Sequence, residues 1–142
     1  MPLAQINIAR MKAPIDSPIM ADFVANLDRI NALAENHEGF VWRLKDDNEN
    51  ATSIKVFEDD MLIINMSVWK DKASLMDYVY KTAHAEIFKR REEWFDKLGD
   101  MHMALWEVAD GHFPSPEEGR ERLEYLQKNG DSDFAFGFTW KK

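Results

Sequence analysis

Hydrophobic and polar positions follow two distinct periods along this chain. Alternation with a period of two indicates strands, and apolar residues recurring every three to four positions indicate helices. The pattern predicts strands over residues 3–10, 40–45, 52–57, 62–69, 101–108 and 134–140. It predicts helices from Pro18 to about Asn36, from Asp71 to about Leu98, with a possible break near Lys81 and Thr82, and from Pro116 to Asn129.

The order of these elements, βα-ββ-α-β-αβ, has too few helices for a doubly wound parallel sheet. It predicts a single α+β domain over residues 1–142, a ferredoxin-like split βαβ sheet with an extra C-terminal helix and strand. Helices cover one face of such a sheet. The other face would carry the side chains of Leu62, Ile64, Met66 and Val68, and its simplest cover is a second copy of the chain.

Composition narrows the classes of function. The formal net charge is −8, and the basic cluster Lys89-Arg90-Arg91 is followed at once by Glu92 and Glu93, so we expect no binding to nucleic acid. The absence of cysteine excludes disulfides, thiolate metal sites and cysteine nucleophiles. The N-terminus enters a strand-like pattern without an apolar leader, so we expect a cytoplasmic protein with no membrane span.

Two polar residues, His84 and Arg91, lie within the apolar stripe of the predicted second helix. A buried guanidinium without a partner costs on the order of several kcal/mol. Arg91 therefore needs either an anionic ligand or a carboxylate such as Glu107 or Glu38. His84 is either a general base or a core histidine that hydrogen-bonds a backbone carbonyl.

Polar side chains also share the side of the predicted sheet that faces the helices. Gln5 and Asn7 lie on one face of the first strand, and Asn65 and Ser67 lie on the mixed face of the central strand. Buried polar groups need partners. A ligand or ordered water in a cavity would supply them, and so would a network satisfied within the protein.

Aromatic side chains are abundant, with five Trp, three Tyr and nine Phe. They either fill the core or form the walls of a pocket. The histidines other than His84 lack the spacing of metal ligands, so we expect no metal site. The candidates for aromatic walls are Trp69, Tyr78, Trp94 and Trp106.

Several segments resemble a bacterial family described as a domain of unknown function, number 3291. The matching segments are residues 3–10, 28–34, 39–44, 51–54 and 65–69, His84, and residues 91–95. Together they extend over nearly the whole chain. The resemblance implies the dimeric α+β barrel fold, and hence a homodimer, without an established activity.

The wider group with this fold resembles antibiotic-biosynthesis monooxygenases and haem-degrading monooxygenases. The resemblance implies that quinone-forming members use oxygen without metal or flavin. In those members an Asn and a Trp, four residues apart on the central strand, line the substrate cavity. Asn65 and Trp69 have that spacing in this chain.

Haem binding is the alternative that the same resemblance raises. It implies an Asn on the first strand, an aromatic residue early in the second helix and a His further along as axial ligand. Asn7 and Tyr78 match the first two places, although the family has Trp where this chain has Tyr78. His84 lies about one turn before the ligand position, where this chain has Phe88. We therefore expect no cofactor.

These observations predict a cytoplasmic homodimer that binds a small, largely apolar, anionic or oxygenated molecule between sheet and helices. As an enzyme, by analogy with the fold, it would be a cofactor-free monooxygenase. His84 would act as base, Asn65 would hold the substrate oxygen, and Arg91 would neutralise developing negative charge. The alternatives are a non-catalytic ligand sensor or carrier and a structural homodimer without a ligand. The other predicted ligand-binding residues are Asn7, Ser67, Trp69 and Tyr78.

Overall fold

A five-stranded antiparallel sheet forms the centre of the fold. The computed structural model describes residues 1–45, 54–82, 84–98 and 102–141. The strands are β1 (Leu3–Met11), β2 (Phe40–Arg43), β3 (Leu62–Trp69), β4 (Phe95–Asp96) and β5 (Met103–Glu107). The helices are α1 (Ala21–Glu35), α2 (Lys72–Lys81), α3 (His84–Lys89) and α4 (Pro116–Asn129), with short 3-10 turns at Pro18–Met20 and Arg91–Glu93.

The strands are arranged in the order β2-β3-β1, and β4 and β5 share the second edge of β1. All of these pairings are antiparallel. Along β1 and β3, Gln5 lies opposite Ser67 and Asn7 lies opposite Asn65. This order is that of a ferredoxin-like split βαβ sheet, so the predicted fold class is confirmed.

The predicted long second helix is broken at Thr82. The Thr82 hydroxyl donates a hydrogen bond to Tyr78 O at 2.6 Å and accepts one from His84 N at 3.2 Å. Thr82 is in an extended conformation, so it ends α2 and caps the start of α3. The 3-10 turn at Arg91–Glu93 and then β4 follow α3. The break near Lys81 and Thr82 is therefore confirmed, and one continuous helix to Leu98 is wrong.

The predicted extra C-terminal strand is also wrong. Residues 134–140 contribute a single β-bridge, in which Phe136 and Leu105 exchange backbone hydrogen bonds of 2.8 and 2.9 Å. Asp131 Oδ1 accepts a hydrogen bond from Gly137 N at 2.9 Å, which curls the segment and prevents a ladder. Of the strand predicted over residues 52–57, the described part, 54–57, is not a strand.

Helix α4, by contrast, begins and ends where the sequence predicts. The Ser115 hydroxyl accepts a hydrogen bond from Glu118 N at 3.1 Å, Pro116 occupies the first turn, and Gly130 follows the last turn with φ of 79°. The Glu118 carboxylate accepts a hydrogen bond from Trp106 Nε1 at 2.9 Å, which ties α4 to β5.

Among the described residues, no helix combines the length and apolarity needed to cross a bilayer.

The sheet face that was expected to need a second copy is covered by α4 of the same chain. Ile6 and Met66 on that face are fully buried and belong to one apolar cluster with Leu123 and Leu126 of α4. The helix approaches closely at Gly119, where a Cβ would lie 2.9 Å from atoms of both Ile6 and Met66. The uncovered face is therefore no argument for a dimer, and the dimer stays a prediction that rests on the family resemblance.

Because α4 covers this face, truncating its buried side chain should destabilise the fold. We expect Leu123→Ala to lower the free energy of unfolding by about 2–5 kcal/mol, since it removes a fully buried side chain and leaves a cavity. Urea unfolding followed by circular dichroism measures the change. Glu121→Gln, at an exposed position of the same helix, is the control and should change stability by less than about 0.5 kcal/mol. Equal effects of the two substitutions would contradict this packing.

Candidate functional site

A cavity of about 260 Å³ lies between the sheet and helices α1 and α3. Its volume is near the lower end of ligand pockets, which begin at roughly 300 Å³. Its apolar walls consist of Ile8, Ala9, Phe23, Leu27, Ile30, Ile63, Ile64, Ile87, Phe88, Trp94 and Phe95. Its polar groups belong to Asn7, Asn26, Asn31, Asn65, Tyr78, His84, Arg91 and His102.

The charges around this cavity favour neutral or anionic ligands. Among the described residues that line it, none is an Asp or Glu, and Arg91 contributes a permanent positive charge. The described residues contain no group of three or more His, Asp or Glu side chains placed to hold a metal ion. The lining therefore offers a cation and amide groups within a mostly apolar surface.

Gln5 links the wall of the cavity to a buried polar network. Its Nε2 donates hydrogen bonds to Asn65 Oδ1 at 2.7 Å and to Ser67 Oγ at 2.8 Å. Ser67 Oγ also accepts a hydrogen bond from Trp69 Nε1 at 2.8 Å. Asn65 and Asn7 line the cavity, whereas Ser67 and Trp69 are buried behind its wall. Of the four predicted ligand-binding residues, Asn7 and Tyr78 therefore line the cavity, whereas Ser67 and Trp69 do not.

His84 lies at the start of α3 and is partly buried. Its Nδ1 is 3.2 Å from Val79 O, and because a carbonyl oxygen can only accept, Nδ1 carries the proton. Nε2 has no partner among the described residues and can accept a hydrogen bond or a proton. Burial lowers the pKa of His84, although the hydrogen bond to Val79 O opposes this effect. His84 is therefore neutral at neutral pH.

Tyr78, in α2, lies beside His84 and connects α2 to α1 by a hydrogen bond. Its hydroxyl donates a hydrogen bond to Ile30 O of α1 at 3.0 Å, and burial raises its pKa far above the usual range. Its ring is stacked on Trp69 with the centroids 5.0 Å apart, and its centroid is 4.9 Å from that of His84. Tyr78 is thus a neutral wall residue whose hydroxyl is already paired.

Arg91 is exposed, so the buried guanidinium expected from the helical stripe is wrong. The reason is that α3 ends at Lys89, and Arg91 begins a 3-10 turn instead of continuing the stripe. Its Nη1 donates a hydrogen bond to Phe88 O at 2.9 Å, and its guanidinium carbon lies 4.2 Å from the centre of the Phe88 ring. Within the described residues neither Glu107 nor Glu38 forms an ion pair with it. Arg91 remains available at the edge of the cavity.

The neighbouring Arg90 holds the helices on both sides of the cavity together. Its Nη2 lies 2.8 Å from Asp22 Oδ2 of α1, and its Nε lies 2.8 Å from Glu93 Oε2. Its guanidinium also lies 4.8 Å from the ring centre of Trp94. These contacts anchor the chain after α3 to α1.

Helix α1 contributes a part of the site that the sequence pattern does not indicate. Asn26 and Asn31 line the cavity beside the apolar stripe of α1, and His102 lines it just before β5. The signal for the two asparagines was their position on the border of that stripe. His102 carried no such signal: the pattern places it in the strand predicted over residues 101–108, whereas β5 begins only at Met103.

Arg43 is a buried cation that the sequence pattern did not reveal. It is 8% exposed and its Nη2 lies 3.3 Å from Glu35 Oε1. A register shift in β2 between Phe40 and Trp42 changes the side to which the following residues point, so simple alternation misplaces Arg43. It does not line the cavity.

The burial of His84 makes stability depend on pH in a defined direction. Below the usual histidine pKa of about 6.5, the unfolded chain binds a proton at this position that the folded chain resists. The free energy of unfolding should therefore fall as the pH drops from 7.5 to 5.5, and His84→Gln should show a shallower fall. Urea unfolding at several pH values measures both curves. Parallel curves for the two proteins would contradict the burial of a neutral imidazole.

Comparisons with other proteins agree with this fold. The chain resembles solved structures of a conserved protein from Methanosarcina mazei Go1 (15% identity, TM-score 0.57, covering 77% of this chain and 94% of that one). It also resembles an asparagine-to-alanine mutant of SnoaB, a cofactor-independent oxygenase from Streptomyces nogalater (14% identity, TM-score 0.53, covering 80% and 98%). A third is Rv0793 from Mycobacterium tuberculosis (11% identity, TM-score 0.53, covering 78% and 97%).

At these identities the structural likeness shows the fold alone. No curated protein matches the chain by sequence. A family match is far more extensive: residues 2–142 match the family described as Domain of unknown function (DUF3291). The resemblance inferred from the sequence is confirmed, and the chain belongs to the DUF3291 family.

Proposed function

We propose that this protein binds a small, oxygenated or anionic aromatic molecule in the cavity between its sheet and helices, and acts on it as a cofactor-free monooxygenase. One observation carries the proposal: a single cavity brings together His84, Asn65 and Arg91, three groups of different chemistry from three different elements. A structural dimer without a ligand would have no use for such a cavity. The homodimer and the cytoplasmic location stay predictions.

The lining suits an aromatic ring that carries oxygen atoms. Phe88, Trp94 and Phe95 offer ring surfaces, and the aliphatic side chains of α1 and β3 complete an apolar enclosure. The amides of Asn7 and Asn65 face the ring from the sheet. The positive charge at the edge favours a phenolate or carboxylate.

Each polar group has a defined part in the proposed reaction. His84 Nε2 accepts a proton from the substrate, which leaves a carbanion or phenolate that dioxygen can oxidise. Asn65 Nδ2 donates a hydrogen bond to the substrate oxygen, and Arg91 stabilises the negative charge that develops. In the overall reaction a phenol with a C–H para to its hydroxyl group, which is a methylene group in the keto tautomer, and dioxygen give a quinone and water, so no external reductant is consumed.

The fold likeness to SnoaB supports this reaction class by analogy alone. The Asn and Trp that the family resemblance places in the substrate cavity correspond here to Asn65 and Trp69. Asn65 lines the cavity, whereas the Trp69 indole donates its hydrogen bond to Ser67 behind the wall. Of these two residues, Asn65 supports the proposal because it lines the cavity, and Trp69 does not.

A non-catalytic carrier is the second candidate, and one contact favours it. His84 Nδ1 is bonded to a backbone carbonyl, Val79 O, and not to a carboxylate that would strengthen it as a base. Its lowered pKa also makes it a weaker base. Binding and turnover must therefore be measured separately.

Binding can be measured with 1-hydroxy-2-naphthoate, a bicyclic anion with an adjacent hydroxyl group. We expect Arg91→Gln to weaken its binding about two- to fivefold in calorimetry, because an exposed charge contributes up to about 1 kcal/mol. Lys89→Gln removes the same charge from an exposed position outside the cavity and is the control. Equal weakening by both substitutions would show a general charge effect and contradict a role for Arg91.

Turnover can be followed as oxygen uptake with a panel of bicyclic and tricyclic phenols. We expect His84→Ala and Asn65→Ala to lower the rate at least about 100-fold, because each removes a group that acts in the transition state. His112→Ala, whose imidazole meets Glu118 at 2.7 Å on the α4 side of the sheet, is the control.

Oxygen uptake and a haem titration together test the absence of a cofactor. Protein treated with chelator should keep its activity, and a haem titration should show no shift of the Soret band. Binding of the phenols without oxygen uptake would favour the carrier instead.

A further inference from the structure

We infer that Gln5 is a positioning residue that determines which atom of Asn65 faces the cavity, and that it thereby selects ligands that accept a hydrogen bond at the sheet wall. The inference rests on the proposed function, because it concerns the ligand of the same cavity. Gln5 itself is 5% exposed and does not line the cavity, so it acts through Asn65.

The polarity of Asn65 follows from its hydrogen bond with Gln5. The side-chain amide of Asn65 has an accepting oxygen and a donating nitrogen. The oxygen is occupied, because it accepts the hydrogen bond from Gln5 Nε2 at 2.7 Å. The nitrogen has no partner among the described residues, and Asn65 lines the cavity. The sheet wall therefore presents an N–H donor to a ligand.

Ser67 and Trp69 hold the side chain of Gln5 in place from behind. Its Nε2 has two hydrogens, and both are used, one on Asn65 Oδ1 and one on Ser67 Oγ. Ser67 Oγ is placed by Trp69, whose indole nitrogen can only donate and does so at 2.8 Å. Trp69 is 1% exposed and is packed against Tyr78. The chain of bonds from Trp69 to Asn65 therefore starts at a rigid, buried ring.

The wall of the cavity that the helices form presents a hydrogen-bond acceptor, whereas the wall that the sheet forms presents a donor. His84 Nδ1 donates to Val79 O, so Nε2 presents a lone pair. A complementary ligand carries an accepting oxygen toward Asn65 and a hydroxyl or an acidic proton toward His84. Asn7 lies opposite Asn65 and has no side-chain partner among the described residues, so it can turn either way and does not set the polarity.

A pair of neutral bicyclic probes separates the two polarities. The carbonyl of 1-indanone only accepts a hydrogen bond, whereas the N–H of indole only donates. We expect the wild type to bind 1-indanone more tightly. In Gln5→Glu at pH 8 the introduced carboxylate accepts, so Asn65 turns its nitrogen toward it and its oxygen toward the cavity. The ratio of the indole Kd to the 1-indanone Kd should then fall about three- to tenfold, the effect of one hydrogen bond.

Two further variants keep the test decisive. Gln5→Met preserves the length of the side chain and removes both hydrogen bonds, so the ratio should fall part of the way if Gln5→Glu does not fold. Gln127→Glu makes the same chemical change on α4, away from the cavity, and should leave the ratio at its wild-type value. Measuring each variant with Asn7→Ala as well removes the amide that could compensate.

The outcomes distinguish this inference from the proposed function. If wild-type protein binds neither probe nor 1-hydroxy-2-naphthoate, the proposed function fails and this inference with it. If the probes bind and the ratio stays unchanged in both Gln5 variants, the cavity binds ligands but Gln5 does not set its polarity. A wild-type preference for indole that stays in place in Gln5→Glu would mean that both amides have the opposite orientation, and would also overturn the inference.

Discussion

The antiparallel register between β1 and β3 is the constraint on which the cavity depends. It places Gln5 opposite Ser67 and Asn7 opposite Asn65, so that four polar side chains meet on the side of the sheet that faces α1 and α3. A slip of one residue in either strand would exchange its two faces. The amide side chains would then lie in the apolar layer beneath α4 without hydrogen-bond partners, and isoleucine side chains would fill the cavity.

The two faces of the sheet serve different purposes because different helices cover them. Helix α4 covers one face with an apolar layer, and Gly119 lets it approach closely. On the other face two further apolar clusters, one around Trp69 and Tyr78 and one around Ile63 and Trp94, flank the cavity. Both faces therefore contribute to the core, and the cavity lies on the face that α4 leaves free.

The sequence predicts the elements whose signals are local. The alternation in β1 and β3 and the capping residues at Ser115 and Gly130 are each contained within a few positions, and the structure has those elements there. Errors arise where a distant or single contact decides. The apolar stripe of the predicted second helix continues to Leu98, but α3 ends at Lys89, and this early end is why Arg91 is exposed. A pattern of apolar spacing contains no information on where α3 ends. For the same reason the sequence indicates that polar residues lie near one another, but it does not indicate which of them donates and which accepts each hydrogen bond.

Helix α1 is held at two points along its length, and this has a consequence for its spacing from its neighbours. The Tyr78 hydroxyl donates a hydrogen bond to Ile30 O, and Arg90 forms a salt bridge with Asp22, two helical turns before Ile30. Neither α1 nor α3 can swing outward without breaking one of these bonds. The spacing of α1 from its neighbours is therefore fixed by these two bonds, and a change in that spacing requires one of them to break.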